Sequence, residues 1–420
     1  MKRIAIIGGG ISGLTVLHYL KQRFADTVEV TLFERESAVG GTVRTLTANG
    51  CRFETGPNGF MDNQPSTLQL VQELGLTDQL LEANPQAKHR YIQIAGQLLS
   101  LPSDPMSFIK TPLLSVQDKW ALIRGIFKKN ISTDQTIYDY ASQRFSVNVA
   151  ERLADPFITG VYAGNIKLLH MASAFPKLVA GNKKKKKGPK HKTRMRSFRN
   201  GMGQLIDVLY LRYKSNIKNN MELVSAEQTK ADIIVLATPA YVASKLIKGL
   251  NPSLAVILEQ IPYAPVAVIG LVFSQGAFKR QPDGFGYLVP SKEQKEILGV
   301  LIESNVYSER GTPDQVMIRV ILGGRHHPEI MGEGQEQIVA KAIKEIDATY
   351  GLVSKPLNTF VKLWPKGIPQ YELNYPVLRK AIAEELKKTP HLYLCANYLD
   401  GISFNDCIYN AKFLVDSISI

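Results

Sequence analysis

Near the start of the chain, Gly8, Gly10 and Gly13 stand at the spacing G-x-G-x-x-G, and glycines so placed let backbone come close to phosphate. Gly8 suits a tight strand-to-helix turn, Gly10 the approach to a pyrophosphate, and Gly13 close packing of helix on strand. The helix that opens there points free N–H groups and a partial positive charge at an anion. Glu34 follows about 20 residues beyond the last glycine, the distance at which an acid binds a ribose hydroxyl. Gly40 and Gly41 allow a second close backbone approach, and Arg44 adds charge-assisted contacts to phosphate; the plain alternative is a surface arginine. The sequence shows no Ser/His/Asp set, metal cluster or paired-carboxylate motif, so no metal site is expected. The reaction chemistry is then the cofactor's, with the protein supplying orientation, electrostatics and a shielded pocket.

These residues need elements to hold them. Ile4-Ala5-Ile6-Ile7 is an apolar run short enough for a buried parallel strand, a helix follows from Ser12 to about Phe24, and Val28–Phe33 reads as a second strand ending at Glu34. The apolar positions of Ser66–Leu81 suit a short helix. His89–Ile94 and Gln97–Pro102 alternate around Gly96 like a hairpin. Tyr138–Leu153 reads as helix, Ala231–Ala240 as a strand and turn, and Leu392–Ala396 as a final strand, with Asp406 as N-cap of the terminal helix. His326-His327 falls in a loop.

At 420 residues the chain exceeds what one core usually serves, and 45% hydrophobic with 21% charged residues is a globular composition. Cys51, Cys395 and Cys407 lack metal-ligand spacing and argue against a disulfide framework, which points to a reducing compartment. A strand beginning at Ile4 leaves no room for a targeting peptide, and Ile261–Phe273, broken by Pro262 and Pro265, is shorter than the roughly 20 residues a bilayer span needs. The expectation is a cytoplasmic protein. The net charge of +14 is concentrated partly in Lys183–Lys187 and the basic residues after it. Without interleaved aromatics that run is a solvated loop, with anionic lipid as its candidate contact, and no nucleic acid is expected. Pro105–Phe127 mixes Trp120 and many aliphatics with Lys110, Lys119, Arg124 and Lys128, which suits either a segment resting on a membrane or a core helix.

Arg35 to Thr45, with its Gly40–Gly41 turn, and Glu54-Thr55-Gly56-Pro57-Asn58 resemble the glutathione-reductase-type FAD proteins. Gly160-Val161-Tyr162-Ala163-Gly164-Asn165 with Ser173-Ala174-Phe175-Pro176 is similar to the protoporphyrinogen oxidase family within the flavin amine oxidases. The likeness runs on through Arg196–Met202, Pro282–Pro290, Leu298–Leu301, Trp364–Tyr371 and Asn405–Ile408. It implies an α/β fold, a Rossmann-like FAD-binding domain interleaved with an α+β substrate domain and a helical insertion that is a candidate for membrane contact. The expected segments are 1–85, 196–250 and 364–420 for the FAD domain, 86–195 for a substrate and helical region, and 251–363 for the substrate domain.

The same resemblance implies the roles. Gly8, Gly10, Gly13, Glu34, Arg35, Gly40, Gly41, Thr42, Arg44, Gly56, Pro57, Trp364, Asp406, Cys407 and Ile408 would bind FAD. Gly160 would lie at the flavin, opposite the reacting carbon. Arg90 would pair with a propionate, Leu288 and Leu301 would sandwich a tetrapyrrole, and Ile321 would stand where some members place a stacking Phe. The implied reaction is repeated hydride removal from protoporphyrinogen IX to flavin N5 in haem biosynthesis, with dioxygen or another acceptor reoxidising the flavin and a homodimer as a further expectation. Two departures concern FAD: the chain between Leu223 and Ala231 is too short for the usual pair of strands at the adenine, and Ala396 replaces a glycine. The rivals are coproporphyrinogen oxidation, amine oxidation with Tyr371 and Tyr398 as an aromatic cage, and a degenerate flavoprotein serving as a binding module.

Overall fold

The structure, a computed structural model, describes residues 1–128, 131–176 and 193–419. The run Lys183–Lys187 lies outside the described residues. Strands Ile217–Lys218, Val28–Phe33, Lys2–Ile7, Ile233–Leu236 and Leu392–Leu394 lie side by side in that order, each pair parallel. Ile4 to Ile7 are all buried because helices cover both faces, so these strands need no polar side. On one face Ile4, Ile6 and Val30 share a core with Leu14 and Leu17 of the helix Ile11–Phe24 and with Ile408 of the terminal helix Phe404–Ser417. On the other, Ile7, Ile234 and Leu236 share a core with helices Ala240–Leu246, Pro252–Glu259 and Tyr375–Lys387. Each fully buried Leu or Ile there contributes about 1.5–3 kcal/mol.

A second, seven-stranded sheet runs in the order Asn358–Pro369, Tyr263–Ser274, Gln315–Gly323, Ile297–Ile302, Gly286–Leu288, Arg90–Ile94, Gln97–Ser100. It is antiparallel except where Gly286–Leu288 meets Arg90–Ile94. The expected hairpin is present, turning through Ala95 and Gly96, both at positive φ. One face of the sheet, with Tyr287, Val300, Val320 and Ile269, is closed by Ile338, Ala342 and Ile346 of the helix Gln335–Tyr350. The other face looks toward the parallel-sheet unit.

Several boundaries differ from the sequence reading. The helix expected over Ser66–Leu81 covers Pro65–Glu73 only; Gly75, at φ 72°, ends it, and Leu80–Glu82 is a strand. Tyr138–Leu153 is not one helix, because Phe145 leaves helical geometry and Ser146 caps a new start; a π-helical turn over Ala150–Ala154 then leads into the helix Asp155–Tyr162. Ser403, not Asp406, is the N-cap of the terminal helix. Asp406 sits three residues in, its carboxylate returning to the Ser403 amide and hydroxyl as a capping box. Helix Pro252–Glu259 packs with the parallel sheet, past the boundary expected at 250. The strand Asn358–Pro369 runs unbroken through the boundary expected at 363, so Trp364 belongs to the mixed sheet.

Candidate functional site

The cofactor end is built from backbone. Gly8 adopts φ 110°, and a Cβ there would lie 2.8 Å from the Ala237 carbonyl; at Gly13 a Cβ would lie 2.0 Å from the Gly8 carbonyl. Helix Ile11–Phe24 therefore sits on the strand more closely than any side chain permits. At Gly10, its N-cap, a Cβ would meet nothing within 4 Å. Among the described residues no side chain caps this helix and its first turn carries no acid, so its leading amides are left for a ligand or solvent. Gly40 and Gly41, at φ 118° and 57°, form the second turn, fastened to the first by the Gly40 amide donating to the Gly9 carbonyl at 2.8 Å. Thr42 continues that turn, and a Cβ at Gly56 would lie 2.0 Å from its carbonyl. The Gly56–Pro57 loop thus stacks directly on the second glycine turn.

Glu34 is buried, its two oxygens accepting from the amides of Gly9 at 2.7 Å and Glu36 at 2.9 Å. These bonds order the glycine loop. Arg35 is exposed and pairs with Glu36. Arg44 donates to the Ala38 carbonyl and keeps a buried Nε without a partner among the described residues. Ile408 is fully buried in the parallel-sheet core, so only its backbone is free to face a cofactor. Burial pushes the Cys407 thiol up to about 11, against a hydrogen bond with Ser12 at the glycine-loop helix. The Trp364 indole donates to the Thr55 carbonyl at 2.8 Å, which makes it a support for the Gly56 loop. The cradle fits a dinucleotide: uncapped amides, left-handed glycines and open space at Gly10 coincide. Between Leu223 and Ala231, where the adenine-side strands were expected to be missing, the chain makes only the 3-10 turn Ala226–Thr229; the short strand Ile217–Lys218 precedes that stretch.

The other end is a sheet surface. Register places Ile92, Leu288, Gly299, Ile321 and Val268 in one cross-strand row, and Arg90, Gly286, Leu301, Arg319 and Gly270 in the row two residues away. Cross-strand partners and residues two apart share a face, so Arg90, Leu288, Leu301 and Ile321, drawn from four strands, lie on one face, which around Ile92 and Leu288 packs on Leu113, Leu114 and Val149 of the helical region. Glycines in both rows leave room between the larger side chains. At one end Phe53 closes the face, since a Cβ at Gly270 would lie 2.4 Å from its ring. Toward Arg90 the face stays open. Arg90 is exposed, its guanidinium 4.5 Å from the Phe285 ring centre, and has no acidic partner among the described residues. Gly160 lies on the helix Asp155–Tyr162, where a Cβ would be 2.7 Å from Leu288 Cδ2. Phe157 and Val161, 55% and 43% exposed, flank it as one apolar stripe. Tyr371 and Tyr398 do not make an aromatic cage: both are fully buried, Tyr371 stacking on Tyr375 at 4.3 Å.

Between the two ends lies a buried charge cluster absent from the sequence reading. Arg310 pairs with Glu54, donates to Ser197 Oγ at 2.7 Å and to the Asn58 carbonyl at 3.3 Å. Arg319 donates to the Gly56 carbonyl and stands 3.9 Å from Glu303. Burial pushes the Glu303 carboxyl up to about 7, opposed by the Arg319 and Arg310 charges and reinforced by Glu54. The available signal was Arg319 itself, a lone charge within the apolar strand Val316–Leu322.

A family model described as flavin-containing amine oxidoreductase matches residues 11–413. The chain is 29% identical to a protoporphyrinogen oxidase of Bos taurus, over 98% of this chain and 97% of that one. It is 27% identical to protoporphyrinogen oxidase 2 of Arabidopsis thaliana, over 97% and 92% respectively. A crystal structure from Exiguobacterium sp. 255-15, assigned provisionally as a protoporphyrinogen oxidase, superposes with a TM-score of 0.85 at 22% identity over 99% of this chain and 98% of that one. A reduced UDP-galactopyranose mutase gives 0.75 at 14% identity over 99% and 93%, which shows that the fold serves other chemistry too. With these likenesses and a cradle that fits a dinucleotide, the chain belongs to the flavin-containing amine oxidoreductase family and is an FAD-dependent oxidoreductase.

Proposed function

We propose that this oxidoreductase converts protoporphyrinogen IX to protoporphyrin IX, a step of haem biosynthesis, with dioxygen as acceptor. The observation that carries the reading is the shared face of Arg90, Leu288, Leu301 and Ile321 beside Gly160: an apolar strip with the exposed cation Arg90 at one end. A flat, apolar macrocycle with propionate arms asks for that combination. Bound FAD supplies the hydride acceptor. The chain's own contributions are to hold the macrocycle between leucines, to anchor a carboxylate at Arg90, and to keep Gly160 bare so that the ring approaches closely. The relatives' names support the substrate. Coproporphyrinogen is the second reading, since Lys362 lies on the same face as Ile321 and adds a cation for its extra carboxylates. Anaerobic mixing of FAD-loaded protein with each porphyrinogen tests both: flavin bleaching with protoporphyrinogen is expected, and failure with it but success with coproporphyrinogen reverses the assignment.

The proposal extends to peripheral membrane attachment. Among the described residues no helix is long and apolar enough to cross a membrane. Helices Pro105–Lys110 and Val116–Phe127 nevertheless leave Met106, Ile109, Val116, Trp120, Ile126 and Phe127 between 59% and 76% exposed, beside Lys110, Arg124 and Lys128. That apolar surface with basic neighbours suits an anionic bilayer. Flotation with anionic liposomes, lost in Trp120→Glu, is the expected result.

A further inference from the structure

Three side chains from the mixed-sheet unit reach into one loop of the cofactor unit and take its carbonyls in sequence. Trp364 Nε1 takes Thr55, Arg319 Nη2 takes Gly56, and Arg310 Nη2 takes Asn58. From the far side the loop is held by the Thr55 amide and hydroxyl on the Arg44 carbonyl, by the same hydroxyl on the Thr42 carbonyl, and by Gly56 against Thr42. It therefore lies between the mixed sheet and the second glycine turn, and the position of that turn depends on what holds the loop from behind. Arg319 and Arg310 are 6% and 1% exposed. Burying a guanidinium is costly unless its donors are used and its charge answered. Glu54 answers Arg310 directly. Glu303 faces Arg319 at 3.9 Å, and neither of its oxygens has a hydrogen-bond partner among the described residues. The acid makes no hydrogen bond to Arg319, which leaves the Arg319 donor to the Gly56 carbonyl.

We infer that Arg319 is a positioning residue for the cofactor: by clasping the Gly56 carbonyl, with Trp364 and Arg310 on its neighbours, it sets the loop that supports the second glycine turn against FAD. It acts through backbone and does not touch the reacting atoms. The inference rests on the cofactor and is independent of the substrate reading, so its test uses no porphyrinogen. Arg319→Met combined with Glu303→Gln removes the pair together and leaves no lone buried charge; Glu303→Gln alone keeps the clasp.

Expected for the double variant is FAD binding weakened about tenfold or more, the value of one buried charge-assisted hydrogen bond. The visible circular dichroism of the FAD that does bind should also change. For Glu303→Gln alone, affinity within about twofold and an unchanged visible spectrum are expected. A folded double variant with wild-type affinity and spectrum overturns the inference, and so does Glu303→Gln reproducing the whole effect. Should the double variant not fold, hydrogen exchange on wild-type protein decides. FAD should protect residues 55–58 and the Gln315–Gly323 strand together, whereas protection confined to the glycine turns overturns the clasp.

Discussion

At the phosphate end of the site, Gly8, Gly13, Gly40 and Gly41 leave no place for side chains, and recognition rests on amides and a helix terminus. On the proposed substrate face, Arg90, Leu288, Leu301 and Ile321 come from four strands, and what that face offers depends on which side chains the sheet register brings together. The first surface is drawn from a few short runs near the start of the chain, and at Gly8 and Gly13 it has no room for a Cβ. The second is assembled over long range. Between them, the Arg310–Glu54 and Arg319–Glu303 cluster joins one surface to the other.

Four substitutions test this contrast, the largest effect first. Gly13→Val should be the most damaging, because its Cβ would meet the Gly8 carbonyl at 2.0 Å and neither backbone can yield. The expected outcome is a loss above about 3 kcal/mol and purified protein without flavin colour; normal flavin content would break the backbone side of the contrast. At the joint, the Glu303 carboxyl is raised from 4.5 to about 7, so the native state holds a proton that the unfolded chain has released across that window. Stability then falls as pH rises from 4.5 through about 7, by about 3 kcal/mol at most. Glu303→Gln should flatten this slope in denaturant titrations; an unchanged slope would mean that the carboxylate is ionised throughout.

On the side-chain end, Arg90→Ala should raise KM for protoporphyrinogen about tenfold while leaving kcat and the flavin spectrum in place. An unchanged KM removes Arg90 from the site. Gly160→Ala should have the smallest effect, about a threefold fall in kcat/KM, since its Cβ would meet only the flexible end of Leu288 at 2.7 Å. Adding Leu288→Ala should recover part of that loss. A collapse in Gly160→Ala that Leu288→Ala does not relieve would place Gly160 among the positions where backbone alone fits.

Local features of the chain were legible before the fold. Gly8, Gly10 and Gly13 lie within six positions of one another, so turn, strand and helix follow from spacing and from the conformations glycine permits. The hairpin at Ala95-Gly96 and the apolar run Ile4–Ile7 are of the same kind. The Ser66–Leu81 and Tyr138–Leu153 segments misled because apolar periodicity continues through Gly75 and Phe145, where the backbone turns away from helix. Asp406 misled because Ser403, one turn earlier, competes for the same amides.

The sequence by itself thus carried the glycine turns of the cofactor end: Gly8 to Gly13 and Gly40-Gly41 are short local runs whose conformations follow from residue type and spacing. Only the tertiary structure decided the join. Nothing in the order of residues says that Arg319, on the other side of the molecule in sequence, ends on the carbonyl of Gly56, or that Glu303 is buried opposite it. A charge in an apolar strand reads as an anomaly until packing supplies its partners, because the free energy that makes it tolerable belongs to contacts between segments and is invisible within any one of them.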